Sequence, residues 1–137
     1  LADIGIWARD HTPPNAYFAV ADIGAFGYYS ERRVLDLYGL VTPRIAPLTV
    51  REGYDAVVKR CLFEEAGRPD FLIDRHHAQA RLTLDADRPT PYRFLFARRI
   101  GNLGITRPGT YYYSVYAIDW RVVDQTRERI ARIDDSR

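Results

Sequence analysis

The chain has 137 residues, enough for one ordinary domain with a core of its own. Apolar residues make up 47% and charged residues 28%, a globular composition that excludes a disordered chain. The formal net charge is only +2 and the basic residues are interspersed with acids, so we expect no nucleic-acid partner. No methionine occurs, even at position 1, and we therefore expect the chain to be a piece of a longer protein.

Helix and strand patterns alternate at the start of the chain. Apolar residues at helical spacing over 3–11 predict a helix that ends at HTPPN. The apolar run YFAVA (17–21) predicts a buried strand, and IGAFGYYS (23–30) a helix of about two turns. RRVLDLYGLV (32–41) predicts a second strand, in which Gly39 indicates a bend or bulge.

The middle of the chain carries the clearest helix pattern. Thr49 and Glu52 form a capping box that opens a helix, Val50–Ala66. Its apolar face consists of Val50, Tyr54, Val57, Val58, Cys61 and Leu62. DFLID (70–74) then predicts a third buried strand.

In the second half of the chain, apolar and polar residues alternate with a period of two, which is typical of strands. YRFLFARR (92–99) and YYYSVYAIDWRV (111–122) predict two strands, joined by the Gly/Pro-rich segment 100–110. From residue 124 to 137 the sequence is mostly charged, and we predict a frayed helix or a disordered tail there.

Together these elements predict a single α/β domain over 1–123. We expect a small, mostly parallel sheet (β-α-β-α-β) with helices on its faces and a C-terminal antiparallel hairpin extending the edge. The predicted core comprises Phe18, Val20, Leu35, Leu37, Val57, Val58, Leu62, Leu72 and Ile73.

A D-x-G-x-x-G turn follows the first strand, at Asp22, Gly24 and Gly27. A dinucleotide fingerprint needs glycine where Asp22 stands, because the pyrophosphate approaches the backbone there. The fingerprint also needs an acid at the end of the second strand, whereas Asp36 comes too early and inside it. We therefore predict a structural turn, in which Asp22 caps the following helix and the two glycines permit close strand–helix packing.

Two further stretches offer ligand-binding side chains. YYSERR (28–33) combines Tyr28 and Tyr29 with Arg32 and Arg33, which suit a sugar or a phosphate, although a solvated loop has the same composition. DRHH (74–77) places Arg75 and His76 just past a strand's carboxyl end, where α/β folds bind ligands.

The spacing of potential ligands and nucleophiles predicts neither a metal site nor a catalytic residue. The adjacent histidines are not followed by further ligands at a standard spacing. No Ser-His-Asp or Cys-His arrangement is indicated, and Cys61 lies on an apolar helix face as an inert thiol. We expect no cofactor.

The motif that begins at Pro13 is long enough to suggest a family. Its elements are Pro13, Pro14 and Ala16, then Asp22, Gly24, Gly27, Tyr28, Tyr29, Ser30 and Arg33, then Asp36, Gly39, Leu40, Val41 and Pro43. This pattern resembles the soluble C-terminal region of bacterial polytopic membrane glycosyltransferases of the GT-C type, the mannosyltransferase-like and arabinofuranosyltransferase-like proteins. YYYSVYAIDW (111–120) resembles their terminal strand, whereas Glu31 replaces the family's usual glycine.

The resemblance implies a function and a location. In such proteins the membrane part uses a polyprenyl-phosphate sugar donor, its catalytic acid lies in an early extracytoplasmic loop outside this chain, and the soluble domain lies on the extracytoplasmic side. The chain is then a noncatalytic domain that contacts the membrane-embedded part of the same polypeptide or the acceptor glycan. Asp36, Gly39 and Pro43 are then structural motif positions.

The alternative is a self-contained α/β module that binds a nucleotide or sugar phosphate, or a small enzyme. That alternative predicts a deep pocket with converging polar groups at the carboxyl ends of the strands.

Overall fold

The computed structural model describes residues 1–39, 41–84, 89–101 and 109–136. Its helices are α1 (Ala2–His11), α2 (Gly24–Ser30), α3 (Ile45–Glu52), α4 (Tyr54–Lys59) and α5 (Trp120–Asp135), with 3-10 turns at Leu62–Glu65 and Arg81–Thr83. Its strands are β1 (Tyr17–Val20), β2 (Arg33–Asp36), β3 (Phe71–His76), β4 (Tyr92–Gly101) and β5 (Thr110–Ile118). None of the helices in these ranges is long and apolar enough to cross a membrane.

The five strands form one mixed sheet in the order β2-β1-β3-β5-β4. β1 pairs in parallel with β2 and β3, whereas β5 is antiparallel to both β3 and β4. The prediction of a mostly parallel β-α-β-α-β sheet is therefore wrong. The reason is that β5 inserts between β3 and β4 and becomes an interior strand, with the neighbours Val115 and Tyr116 both fully buried.

Helices cover both faces of the sheet. On one face α1 and α2 pack on β1 and β5, with Ile4, Phe18 and Phe26 in the core. On the other face α3, α4 and the first turn of α5 pack on β1, β2 and β3. The crossovers from β1 to β2 and from β2 to β3 run in opposite directions, and right-handed crossovers then place their helices on opposite faces. All of the predicted core residues are buried except Leu62, which is half-buried.

The predicted single helix Val50–Ala66 is wrong. α3 already begins at Ile45, and Gly53 ends it with a φ of 83°, a conformation that favours glycine. Thr49 lies inside α3, where its hydroxyl donates to the carbonyl of Leu37 at 2.8 Å, so it opens no capping box. Val50, expected on the buried face, is 88% exposed.

Two predicted strands are shorter than expected. β2 ends at Asp36, and Gly39 lies in the following turn with a φ of 80°. A Cβ atom there would lie 2.5 Å from the backbone nitrogen of Ala46, so glycine is required. β5 ends at Ile118 because the Asp119 side chain accepts a hydrogen bond from the amide of Arg121 and caps α5. Most of the charged segment that starts at residue 124 lies within α5.

A pair of substitutions tests the break between α3 and α4. Leu72→Ala removes a fully buried β3 side chain and should lower the free energy of unfolding by about 2–5 kcal/mol. Val50→Ala should change it by no more than about 0.5 kcal/mol, because Val50 is exposed in this fold. Urea unfolding measures both values. If Val50→Ala lowers the free energy of unfolding by as much as Leu72→Ala does, Val50 is buried as the continuous helix predicts, and the fold described here is contradicted.

Candidate functional site

The carboxyl ends of three strands meet at one edge of the sheet. β1, β2 and β3 are parallel, and the chain leaves β1 in one direction and passes back over it to β3. Open α/β sheets bind ligands outside the carboxyl ends of the strands, at the point where the strand order reverses. Here that point lies between the ends of β1 and β3. Asp22 follows β1, Tyr38 follows β2, and Arg75 lies near the end of β3.

Asp22 joins the end of β1 to two other strands. Its Oδ2 atom accepts hydrogen bonds from the guanidinium of Arg75 in β3 and from the hydroxyl of Tyr113 in β5, the latter at 2.7 Å. The Arg75 side chain is 9% exposed and that of Asp22 is 30% exposed. The prediction that Asp22 caps α2 is wrong: no side chain caps this helix, and Ile23 occupies the N-cap position. The carboxylate of Asp22 instead accepts a charge-assisted hydrogen bond from Arg75.

Arg75 and Tyr113 both keep their protons at neutral pH. Burial alone would lower the pKa of Arg75, but the carboxylate of Asp22 outweighs it and the pKa is raised. Burial, together with the hydrogen bond to Asp22, raises the pKa of Tyr113 well above its ordinary value. Arg75 therefore stays charged and Tyr113 stays a hydrogen-bond donor.

A second buried ion pair lies on the other face of β3. Asp74 is almost fully buried and accepts from Nε of Arg81 at 2.8 Å and from Nη2 at 3.0 Å. The hydroxyl of Tyr54 also donates to Asp74, at 2.8 Å, and Arg81 reaches Asp55 at 2.7 Å. Burial and the carboxylate of Asp74 raise the pKa of Tyr54 well above its ordinary value. Neighbouring strand residues point to opposite faces, so Asp74 and Arg75 belong to different pairs.

Two stacked tyrosines lie between these ion pairs. The rings of Tyr38 and Tyr54 are 5.1 Å apart and nearly parallel. The guanidinium of Arg75 lies 5.8 Å from the Tyr38 ring centroid and 3.4 Å from its hydroxyl. Because Tyr54 is bonded to Asp74, the stack connects both pairs, while Tyr38 remains 39% exposed.

A cavity of about 510 Å³ opens beside Asp22 and Tyr38. Its lining residues are Leu1, Ala21, Asp22, Ile23, Gly24, Asp36 and Tyr38. Asp36 is buried beneath it, and its carboxylate accepts from the backbone amides of Tyr38 at 3.0 Å and Val41 at 3.2 Å. Asp36 therefore holds Tyr38 and Val41 close to the end of β2, and Pro43 lies in a separate turn just before α3.

The YYSERR residues lie away from this cavity. Tyr28 and Tyr29 are on α2, and Tyr28 is 81% exposed. Arg32 donates to the carbonyls of Arg9 and Thr12, at 2.6 and 2.8 Å, and so holds the end of α1. Arg33 lies 4.1 Å over the ring of Tyr17, its partner at the amino ends of β1 and β2. The structure therefore brings Arg75, but none of these residues, to Asp22.

The glycines of the D-x-G-x-x-G turn do not serve close packing. A Cβ atom on Gly24 or Gly27 would meet nothing within 4 Å. Close helix contact occurs instead at Gly5, where a Cβ atom would lie 3.0 Å from that of Tyr29. The prediction of tight strand–helix packing at Gly24 and Gly27 is therefore wrong.

Five residues of this edge were not predicted as site residues from the sequence: Tyr38, Tyr54, Asp74, Arg81 and Tyr113. Arg75 was predicted because it lies near the carboxyl end of a strand. The same rule would select Tyr38 if β2 were predicted to end at Asp36, as it does in the structure. Across the described residues, no group of three or more His, Cys, Asp and Glu side chains converges to hold a metal ion.

His76 is half-buried beside Asp74 and Arg81. Its Nδ1 atom accepts a hydrogen bond from the amide of Ala78 at 3.0 Å, which requires that nitrogen to be unprotonated. Burial lowers the pKa of His76, and the charge of Arg81 lowers it further, against the opposing effect of Asp74 and Asp55.

This lowered pKa predicts a pH dependence of stability. The unfolded chain binds the proton more readily, with a pKa of about 6.5, so the free energy of unfolding should fall as the pH drops below about 6.5. His76→Asn keeps an acceptor for the Ala78 amide but cannot titrate, and should flatten the decline measured by urea unfolding between about pH 7 and pH 5. His77→Asn is the matched control and should retain the decline. An unchanged slope in His76→Asn would contradict the assignment.

Comparison with known proteins identifies a family but no function. No curated protein and no solved structure matches this chain. One family model, described as "Domain of unknown function (DUF8728)", matches residues 1–131, which contain every strand of the sheet and helices α1 to α4. The chain therefore belongs to the DUF8728 family.

Proposed function

We propose that this chain is a noncatalytic domain of a membrane glycosyltransferase and that it contacts the acceptor glycan. The observation that carries the proposal is the cavity beside Asp22 and Tyr38, at the carboxyl ends of β1 and β2. The resemblance of the segment from Pro13 to Pro43 to the soluble region of GT-C type glycosyltransferases supports the same assignment.

The protonation chemistry of the site favours binding over catalysis. General acid–base catalysis needs a group that exchanges a proton near the working pH. Arg75 and Tyr113 have raised pKa values and keep their protons, and both hold the carboxylate of Asp22. Asp74 is likewise held by Arg81 and Tyr54. Arg75 and Tyr113 therefore orient the binding surface without supplying a mobile proton.

The lining of the cavity matches the two kinds of surface that a sugar presents. Sugar hydroxyls donate to carboxylates such as that of Asp22, and the C–H face of a pyranose or furanose packs on aromatic and aliphatic side chains. Tyr38 and Ile23 supply such side chains in the lining that also contains Asp22. The stack on Tyr54 holds the Tyr38 ring in place, which lowers the entropy lost on binding.

This proposal assigns the domain to the extracytoplasmic face of a bacterial membrane, joined to the membrane-embedded part of the same polypeptide. Sugar transfer then occurs in the membrane part, and the domain presents the acceptor. Translation of the gene upstream of this chain tests that arrangement, since it requires a hydrophobic multi-span segment in the same reading frame.

Titration of the chain with neutral manno- and arabino-oligosaccharides, followed by amide chemical shifts, tests the glycan contact. We expect saturable binding at about millimolar affinity, roughly 4 kcal/mol, with shifts at Ala21 and Gly24. Tyr38→Ala should abolish binding because it removes the aromatic wall. Tyr28→Ala is the matched control, since Tyr28 lies away from the cavity on α2, and it should bind like the parent.

Three outcomes would count against the proposal. One is an absence of saturable shifts, and a second is loss of binding in Tyr28→Ala alone. The third is sugar transfer by the chain itself from a polyprenyl-phosphate donor, which would make the domain catalytic.

A further inference from the structure

The charge around the cavity has a consequence for the ligand. Two carboxylates, those of Asp22 and Asp36, line it, and no lysine or arginine is among its lining residues in the described part of the chain. The guanidinium of Arg75 lies nearby, bound to Oδ2 of Asp22. That guanidinium pairs with Asp22, and no cationic side chain of the described residues pairs with Asp36, so the charge of Asp36 has no side-chain counter-charge at the cavity.

The two carboxylates have different roles. Both Arg75 and Tyr113 bind Oδ2 of Asp22, and no hydrogen bond from another described residue reaches its Oδ1. A partly exposed carboxylate oxygen of this kind accepts a ligand hydroxyl. Both oxygens of Asp36 already accept backbone amides, so its contribution to the site is its charge.

We propose that the cavity selects a neutral, polyhydroxylated sugar unit and rejects the same unit carrying a phosphate or a carboxylate. This inference rests on the proposed function and adds the charge of the ligand to it. A hydroxyl of the sugar donates to Oδ1 of Asp22, and the sugar's apolar face packs on Tyr38. An anionic group in the same place would face the carboxylates of Asp22 and Asp36 in a partly desolvated site, where like charges repel strongly.

The features that usually offset this repulsion do not apply here. Phosphate sites use a guanidinium fork or the amides at the start of a long helix. The fork of Arg75 is already used on Asp22 and Tyr38. α2, which begins at the cavity, has only seven residues, and Asp22 precedes it.

The test compares one sugar in neutral and anionic forms. The full 137-residue chain, labelled with ¹⁵N and acetylated at the amino group of Leu1 so that this group carries no charge at the cavity, is titrated at constant ionic strength with methyl mannoside, mannose 6-phosphate and mannuronate, and the shifts at Ala21 and Gly24 are followed. We expect the neutral sugar to bind at least about tenfold more tightly than either anion. Equal or tighter binding of an anion at these amides would overturn the inference while leaving glycan contact intact. If none of the three sugars and no neutral oligosaccharide gives a saturable shift, the proposed function fails together with it.

Asp22→Asn tests whether the selection arises at this carboxylate. The substitution removes one negative charge but keeps an acceptor oxygen, so the preference for the neutral sugar should shrink severalfold. Asp10→Asn makes the same change of charge near the far end of α1, roughly 13 Å along the helix from Leu1 at the cavity, and should leave the preference unchanged. The amide spectrum of each variant confirms that it is folded. An equal preference in Asp22→Asn and the parent would place the selection elsewhere, and the inference would fail.

Discussion

The bond of Asp22 to Arg75 and Tyr113 determines how the carboxyl edge of this domain is arranged. The turn after β1 contains no side-chain cap and two glycines with open space around them, so local interactions do little to fix it. The carboxylate instead reaches across to β3 and β5, whose residues Arg75 and Tyr113 are paired in register. One acceptor oxygen thereby ties together the ends of three strands. A nearly buried arginine needs this counter-charge, because an unpaired charge in that position is strongly destabilising.

The alternation of β3 gives the same edge a second anchor. Asp74 and Arg75 are adjacent, so one points to the α4 face and the other to the α2 face. Arg81 and Tyr54 hold the first residue, and Asp22 holds the second. The Tyr38–Tyr54 stack then connects the two sides around the end of β3. What results is a polar, hydrogen-bonded frame beside an open cavity, an arrangement suited to positioning a ligand with little rearrangement on binding.

Local patterns in the sequence predicted part of this structure, and non-local pairing produced the rest. The positions of α1, β1 and β3 follow from apolar periodicity and from turn residues close in the chain. The insertion of β5 between β3 and β4 depends on pairing between distant segments. The residue pattern of YYYSVYAI is compatible with an interior strand and with an edge strand, so it does not predict which one forms. Asp22 was also assigned from its local surroundings alone. A carboxylate after a strand is typical of an N-cap, but its partner, Arg75, lies 53 residues away in the chain. Arg75 was recognised from its place at a strand end, whereas Tyr113 was counted only as part of a strand.

A double-mutant cycle on Asp22 and Arg75 measures the central interaction most directly. The free energy of unfolding is determined by urea titration for the parent, Asp22→Asn, Arg75→Met and the double variant. If the carboxylate of Asp22 stabilises the guanidinium of Arg75, each single substitution lowers the free energy of unfolding. The double variant then loses less free energy than the two single losses added together, and the coupling energy is about 1–3 kcal/mol. Strict additivity, with Asp22→Asn as stable as the parent, would show that Asp22 acts locally in its turn and would contradict this account of the carboxyl edge.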